Sequence, residues 1–261
     1  MSNWPIAVAT RSETIGIASG TGTTVTAGSA NAKGSAATIG TTAFRYSAFR
    51  LTIFQTGSTS RRNRLDIIVN NGGADEVILP DVYFENGTND FSQIFPISIP
   101  SGATVKAKLQ CTTGSEAAIV AITGFAGDFG MEPGNGRAIS CTDWTNTGPT
   151  FTVTQTGTTA TAWTTIAGSL SNAVSRLWLM PTHAADTGRT VSDFTVEIGI
   201  GSAGNEVVLD TAFGHQVSNG VMQTLWELPC DLPAGKRLSF RVTCAAAAAD
   251  AFGVTALGLA A

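Results

Sequence analysis

The string Gly199-Ile200-Gly201-Ser202-Ala203-Gly204 has the spacing of a glycine loop that cradles phosphates. That chemistry needs a helix to begin at the turn, so that its N-terminal amides meet the pyrophosphate. The next residues are Asn205-Glu206-Val207-Val208-Leu209, a β-branched apolar run that reads as a strand, so the expectation is a β-turn and no bound nucleotide. Carboxylates are the next candidates. Asp66 and Glu76 have counterparts in Glu197 and Glu206, and an acid pair on neighbouring strands is the starting point of a Ca²⁺ site or of glycoside hydrolysis. Ca²⁺ requires further oxygen ligands, and hydrolysis requires a cleft that keeps one acid protonated. The pattern predicts instead a solvated strand face whose acids pair with bases such as Arg64, with Ca²⁺ as the open alternative.

His183, in Pro181-Thr182-His183-Ala184-Ala185-Asp186, and His215, after Gly214, are both expected in loops and without the partner a general base needs. No serine stands in a GxSxG elbow. Cys111, Cys141, Cys230 and Cys244 form no CxxC pair and, with two histidines in the chain, no zinc-ligand spacing; they are expected as free, half-buried thiols. Phe outnumbers Trp by 13 to 5, which favours core filling over sugar-stacking platforms. Trp178 and Trp226 lie in strand-like segments and are expected in the core, while Trp144 is the candidate for an exposed ring. Asn86-Gly87-Thr88 matches a glycosylation sequon, which matters only in an exported chain. No catalytic, cofactor-binding or metal-ligating residue is assigned, and no cofactor is expected.

The elements that must position these residues are set by composition and by an internal repeat. Charged residues are 13% of 261 and the net charge is −4, so there is no basic excess to neutralise a nucleic acid or an anionic membrane. Hydrophobic residues at 43% supply packed cores and exclude a disordered chain. With 29 Gly and 9 Pro among many Ser and Thr, the composition is that of short strands joined by tight turns. Met1-Ser2-Asn3-Trp4-Pro5 has no basic n-region, and no apolar stretch reaches the roughly 18 residues of a membrane helix; a soluble chain without an export signal is expected.

The repeat is direct. Phe95-Pro96-Ile97-Ser98-Ile99-Pro100-Ser101-Gly102 returns as Leu228-Pro229-Cys230-Asp231-Leu232-Pro233-Ala234-Gly235, and at the same spacing Cys111 falls on Cys244. Asp75-Glu76-Val77-Ile78-Leu79 returns as Asn205-Glu206-Val207-Val208-Leu209, and Arg50-Leu51-Thr52-Ile53-Phe54 as Arg176-Leu177-Trp178-Leu179-Met180. Copies this long can each own a core, which predicts a tandem duplication with domains at 1–130 and 131–261 and a link over 127–136. Inside each copy, segments such as Phe49-Arg50-Leu51-Thr52-Ile53, Val105-Lys106-Ala107-Lys108-Leu109 and Leu238-Ser239-Phe240-Arg241-Val242 alternate with period two. The Ile-Pro-Ser-Gly and Leu-Pro-Ala-Gly segments are read as hairpin turns. Residues 245–249 are all alanine, but their counterpart Thr112-Thr113-Gly114-Ser115-Glu116 reads as a turn. The expected fold is all-β: two tandem, similar β-sandwiches of seven or eight strands each, jelly-roll-like rather than immunoglobulin-like.

The Gly-rich turn, the Asp/Asn-Glu-Val-Ile/Val-Leu strand, and Ile-Pro-Ser-Gly or Leu-Pro-Ala-Gly before a basic-apolar strand ending in Cys resemble a domain of virion structural proteins of tailed bacteriophages. Ser19-Gly20-Thr21-Gly22-Thr23-Thr24-Val25-Thr26-Ala27 and Asn31-Ala32-Lys33-Gly34 fit the same resemblance, which spans residues 20–126 and 150–259. It implies a non-enzymatic virion protein assembled in the host cytoplasm, a capsid decoration (cement) or minor tail protein. Its partners would be other virion proteins, major capsid or tail proteins, with no direct nucleic acid and no membrane. Two similar domains in each of three chains would give a homotrimer pseudo-sixfold symmetry. The alternative is a tail or baseplate component that binds a host-surface glycan. An enzyme on a jelly-roll scaffold is not expected, since no site argues for it.

Overall fold

The computed structural model describes residues 8–17, 21–55, 61–85, 91–128, 138–141, 144–145, 148–149, 153–155, 159–183, 192–216, 225–244 and 250–260, and these are all-β. The chain divides into two compact units, one of Met1–Gly57, Asn63–Val82 and Thr88–Ile139, the other of Ser58–Arg62, Tyr83–Gly87 and Ser140–Ala261.

The first copy runs through β1 (Val8–Ile15), β2 (Thr23–Thr26), β3 (Ala37–Thr41), β4 (Ala48–Gln55), β5 (Arg62–Asn70), β6 (Glu76–Glu85), β7 (Phe91–Phe95), β8 (Thr104–Cys111) and β9 (Ala117–Asp128). One sheet has the order β1-β9-β4-β7, with β2 also on β9, and the other the order β3-β8-β5-β6. Pairing is nested: β1 and β2 with β9, β3 with β8, β4 with β7, and β5 with β6. The chain is thus one long hairpin whose tip is the Asn70–Asp75 turn, rolled up so that successive pairs alternate between sheets, which is a jelly roll.

The second copy repeats this plan. Its strands are β10 (Ala138–Ser140), β11 (Trp144–Thr145), β12 (Gly148–Pro149), β13 (Val153–Gln155), β14 (Thr164–Ala167), β15 (Val174–His183), β16 (Ser192–Ile200), β17 (Val207–Gln216), β18 (Trp226–Leu232), β19 (Leu238–Cys244) and β20 (Asp250–Ala260). The sheets are β10-β20-β15-β18, with β13 on β20, and β14-β19-β16-β17; β11 and β12 form a two-residue ribbon. Strand for strand, the order is that of the first copy.

The alternation read from sequence sets what is buried. Phe49, Leu51 and Ile53 of β4, Val105, Ala107 and Leu109 of β8, and Leu238, Phe240 and Val242 of β19 all lie in the core. Residues 106 and 108, the intervening lysines of β8, point to the half-exposed face. Burying these apolar sets is the main driving force for each sandwich.

Three local expectations are corrected. The Pro-Gly segments are not hairpins: β7 lies in the sheet of β4 and β8 in the sheet of β5, so the turn between them crosses from one sheet to the other. It is a tight turn nonetheless, with Gly102 at φ 76° and Gly235 at φ 83°, each donating its N–H across the connection to Thr42 O at 2.9 Å and Leu170 O at 2.8 Å. His183 and His215 are not in loops but near the ends of β15 and β17. Residues 127 and 128 of the expected link belong to β9, while 129–136 and the alanines at 245–249 lie outside the described residues.

Candidate functional site

Three of the four carboxylates singled out from sequence, Asp66, Glu197 and Glu206, are engaged by basic side chains, while Glu76 is exposed at the start of β6. On β5, Asp66 receives Lys33 Nζ at 2.6 Å on Oδ1 and 2.5 Å on Oδ2, and its Oδ1 also accepts the Asp81 N–H at 2.9 Å. Asp81 on the neighbouring β6 stands at φ 50°, a left-handed conformation that Asp tolerates better than most residues. Its Oδ1 meets Lys33 Nζ at 3.0 Å and Arg64 Nη1 at 3.3 Å. Two acids and two bases therefore form one compensated cluster. Arg64 and Asp66 are buried, so this is not the solvated face expected, and Arg64 reaches Asp81 as well as lying in the field of Asp66. Burial lowers the affinity of the Arg64 guanidinium for its proton, and Asp81 and then Asp66 counter this.

The second copy keeps the charge and changes the wiring. Glu197 takes the place of Asp66, and register sets it opposite Thr211 on β17 and Arg241 on β19. Arg241 is the counterpart of Lys108, which register sets opposite Asp66. Arg241 Nε bonds Glu197, and its guanidinium stacks on Trp163 at 4.6 Å from the ring centroid. Glu206 bonds Arg237, which also donates to Thr165 Oγ1 at 3.1 and 2.7 Å. Burial opposes ionisation of Glu206, but hydrogen bonds from Arg237 and from backbone N–H groups outweigh it and hold the carboxyl below its usual range.

At Glu206 a base thus holds the acid ionised, the reverse of what an acid catalyst needs. Among the described residues, no group of three or more His, Cys, Asp or Glu is placed to hold a metal ion. The glycine string is a turn between β16 and β17, with Gly201 at φ 142°, Gly204 at φ 80° and the Asn205 N–H on Ser202 O at 2.9 Å. Its counterpart in the first copy is tied by side chains: Asn70 Nδ2 donates to Gly73 O and Asp75 Oδ1, both at 2.8 Å, and Lys106 bonds Asp75 at 2.8 and 3.0 Å.

All four cysteines are free, and three are buried; Cys230 is half-buried. Burial pushes the Cys141 thiol up to about 12 and Cys230 to about 11. Trp178 is in the core as expected, and Trp226 is half-buried. The Trp144 side chain and the Asn86-Gly87-Thr88 segment lie outside the described residues.

Two features went unread in the sequence. An open pocket of about 360 Å³ lies beside the β5–β6 turn, lined by Val69, Asn71, Gly73, Glu76, Ser98 and Pro100 among others. Large apolar side chains also stand exposed: Phe213 (74%), Val207 (67%) and Val208 (42%) on β17, Ile17 (52%), and Phe54 (39%) on β4. β17 is an edge strand, where exposed apolar residues invite association. Its β-branched run was legible, but not its place at an edge.

No protein-family model matches the chain, and no curated protein matches it. Its fold is similar to solved structures of low identity. PNGF-II shares 11% identity at a TM-score of 0.43, covering 96% of this chain and 65% of that one, so this chain spans less than two thirds of PNGF-II. The STIV MCP shares 10% at 0.34, covering 95% of each chain. The CBM22-1-CBM22-2 tandem domain of Paenibacillus barcinonensis Xyn10C shares 9% at 0.28, covering 95% of this chain and 90% of that one. Likenesses at this level carry no functional assignment.

Proposed function

We propose that this chain is a non-enzymatic structural protein of a bacteriophage virion, a capsid decoration protein on the particle surface, assembled in the host cytoplasm as a homotrimer with major capsid proteins as partners. The observation that supports the reading is the contrast between its ionisable and its apolar groups. The candidate carboxylates Asp66, Glu197 and Glu206 are compensated in ion pairs, while Phe213, Val207 and Val208 crowd an exposed edge strand. Such a surface works by area and repetition rather than by a reacting group. The resemblance of the repeat motifs to tailed-phage virion proteins supplies the setting.

Sedimentation with capsids that lack surface proteins is the test. Co-sedimentation saturating at a fixed number of chains per capsomer is expected; absence of binding to capsids, with binding to tails, moves the protein to the tail. A second reading, a glycan-binding tail or baseplate component, draws on the pocket where Asn71, Glu76 and Ser98 offer hydrogen-bonding groups beside Val69 and Pro100. It predicts glycan-array binding that an Asn71→Ala substitution weakens at least about tenfold, the worth of one well-made hydrogen bond.

A further inference from the structure

Asparagine is thermolabile because its side-chain amide can be lost to a neighbouring backbone nitrogen. The loss needs a free amide, a following residue whose nitrogen lies open to the side chain, and room for a five-membered ring to close. Glycine meets the second need best, since it has no Cβ to shield its nitrogen and tolerates unusual backbone angles. Six asparagines stand among the described residues, Asn31, Asn63, Asn70, Asn71, Asn172 and Asn205, and Asn71 alone precedes a glycine. It lies in the turn between β5 and β6, where residues 71–76 are all exposed. Gly72 has φ 81°, and a Cβ added there would meet nothing within 4 Å, so the space beside it is open. The two asparagines of the turn are used differently. Asn70 is tied down: its Nδ2 donates to Gly73 O and Asp75 Oδ1, both at 2.8 Å, and its Oδ1 accepts the Gly72 N–H at 3.0 Å. The Asn71 amide takes part in no hydrogen bond among the described residues and is free to turn towards Gly72. The bond from Gly72 to Asn70 has to open as the ring closes, and it is an exposed bond of the kind that opens locally.

We propose that Asn71 is a site of spontaneous deamidation, at which the folded chain converts its own asparagine to aspartate and isoaspartate. The Gly72 nitrogen attacks Cγ of Asn71, a C–N bond forms there, and the Cγ–Nδ2 bond breaks. Nδ2 leaves as ammonia with the proton given up by the Gly72 nitrogen, and a cyclic imide remains. Water then adds to one of the two imide carbonyls. Opening at Cγ gives aspartate; opening at the main-chain carbonyl gives isoaspartate, whose backbone runs through the side-chain carbon. No electrons are gained or lost, and water is the one co-reactant. Either product carries a carboxylate where the amide lined the pocket with Glu76, and takes the net charge one unit below −4. The equivalent turn of the second copy, Gly201-Ser202-Ala203-Gly204, holds no asparagine and is a control within the same chain. The reaction draws on the turn and rests on neither reading of function.

The test ages the purified full chain in mildly alkaline buffer for several weeks and follows it by isoelectric focusing and peptide mass spectrometry. A more acidic species is expected, with fragment ions that place the exchange of NH for O at residue 71. Asn86-Gly87, Asn135-Gly136 and Asn219-Gly220 lie outside the described residues, so the assignment is read from those fragment ions and not from the total charge. An isoaspartyl methyltransferase should label the residue 71 peptide of the aged protein and not that of the fresh one. Asn71→Gln keeps an amide but would need a six-membered ring, so residue 71 should convert at least about tenfold more slowly, a barrier higher by about 1.4 kcal/mol. The same chain held unfolded in guanidinium chloride gives the rate of the sequence without the turn. Conversion at residue 71 of the folded chain within about tenfold of that rate is expected, the turn then adding no more than about 1.4 kcal/mol to the barrier. Residue 71 intact in the folded chain while it converts in denaturant would overturn the proposal, as would a rate at residue 71 unchanged by Asn71→Gln.

Discussion

The compensated cluster on β5 and β6 puts residue chemistry in the service of stability. Asp81 answers both Arg64, which is buried, and Lys33, which is about a third exposed. Removing one partner of a buried ion pair leaves the other desolvated and uncompensated. Asp81→Ala is therefore expected to lower unfolding free energy by about 2–4 kcal/mol in urea denaturation, more than Lys33→Ala, whose loss is eased by solvent. Acid sensitivity has a defined sign. Hydrogen bonds from Lys106 and then Asn70 hold Asp75 below its usual range, and Arg237 does the same for Glu206 against the cost of burial. A carboxyl with a depressed folded-state pKa stabilises fully above its unfolded value, roughly 4, and that contribution is lost as pH falls through the folded value. The Tm should drop from about pH 5 downward, and Glu206→Gln should flatten the curve while lowering the plateau. The thiols offer a third check. With Cys141 at about 12 and Cys230 at about 11, the native protein should react slowly with maleimide at pH 7, and all four cysteines should label once it is denatured. The acids and their need for bases were legible from sequence at this scale; which base meets which acid was not, because Lys33 reaches Asp66 from 33 residues away.

Among the elements, period-two alternation located β4, β8 and β19 and the faces they bury, because the pleat alone sends alternate side chains to opposite sides. The Pro-Gly turns misled in one respect. Turn chemistry specifies a local reversal, and it is the same whether the next strand pairs with the last or crosses to the opposite sheet. The histidines were misplaced for a related reason, since β15 and β17 run past their apolar cores to His183 and Gln216, carried by pairing with β20 and β16. Close approaches between elements leave little room. At Gly124 of β9 an added Cβ would meet the Tyr46 ring at 2.2–2.3 Å, and Tyr46 is fully buried with its hydroxyl donating to Glu13 Oε1 at 2.7 Å. Gly124→Ala is expected to destabilise by about 1–3 kcal/mol, the usual cost of overpacking, read as a lowered Tm and urea midpoint.

For the whole molecule, the prediction concerns assembly. The exposed side chains of β17, Phe213, Val207 and Val208, are apolar, and screening acts on charges; raising NaCl from about 0.05 to 0.5 M should change the association constant of the proposed trimer less than about threefold in sedimentation equilibrium. A steep salt dependence would point to ion pairs and away from β17. The repeated motifs, the all-β class and the jelly-roll plan were legible in the sequence itself, through self-similarity at offsets of 126 to 133 residues, strand periodicity and turn composition, all of which are local or repetitive signals. The tertiary structure alone decided which acids meet which bases, where the Pro-Gly turns lead, and that of two equivalent aromatic positions Tyr83 is covered and Phe213 is bare. Those outcomes depend on pairing between distant segments. Two copies with nearly the same local pattern differ there because burial belongs to the neighbour that arrives, and no residue carries that information by itself.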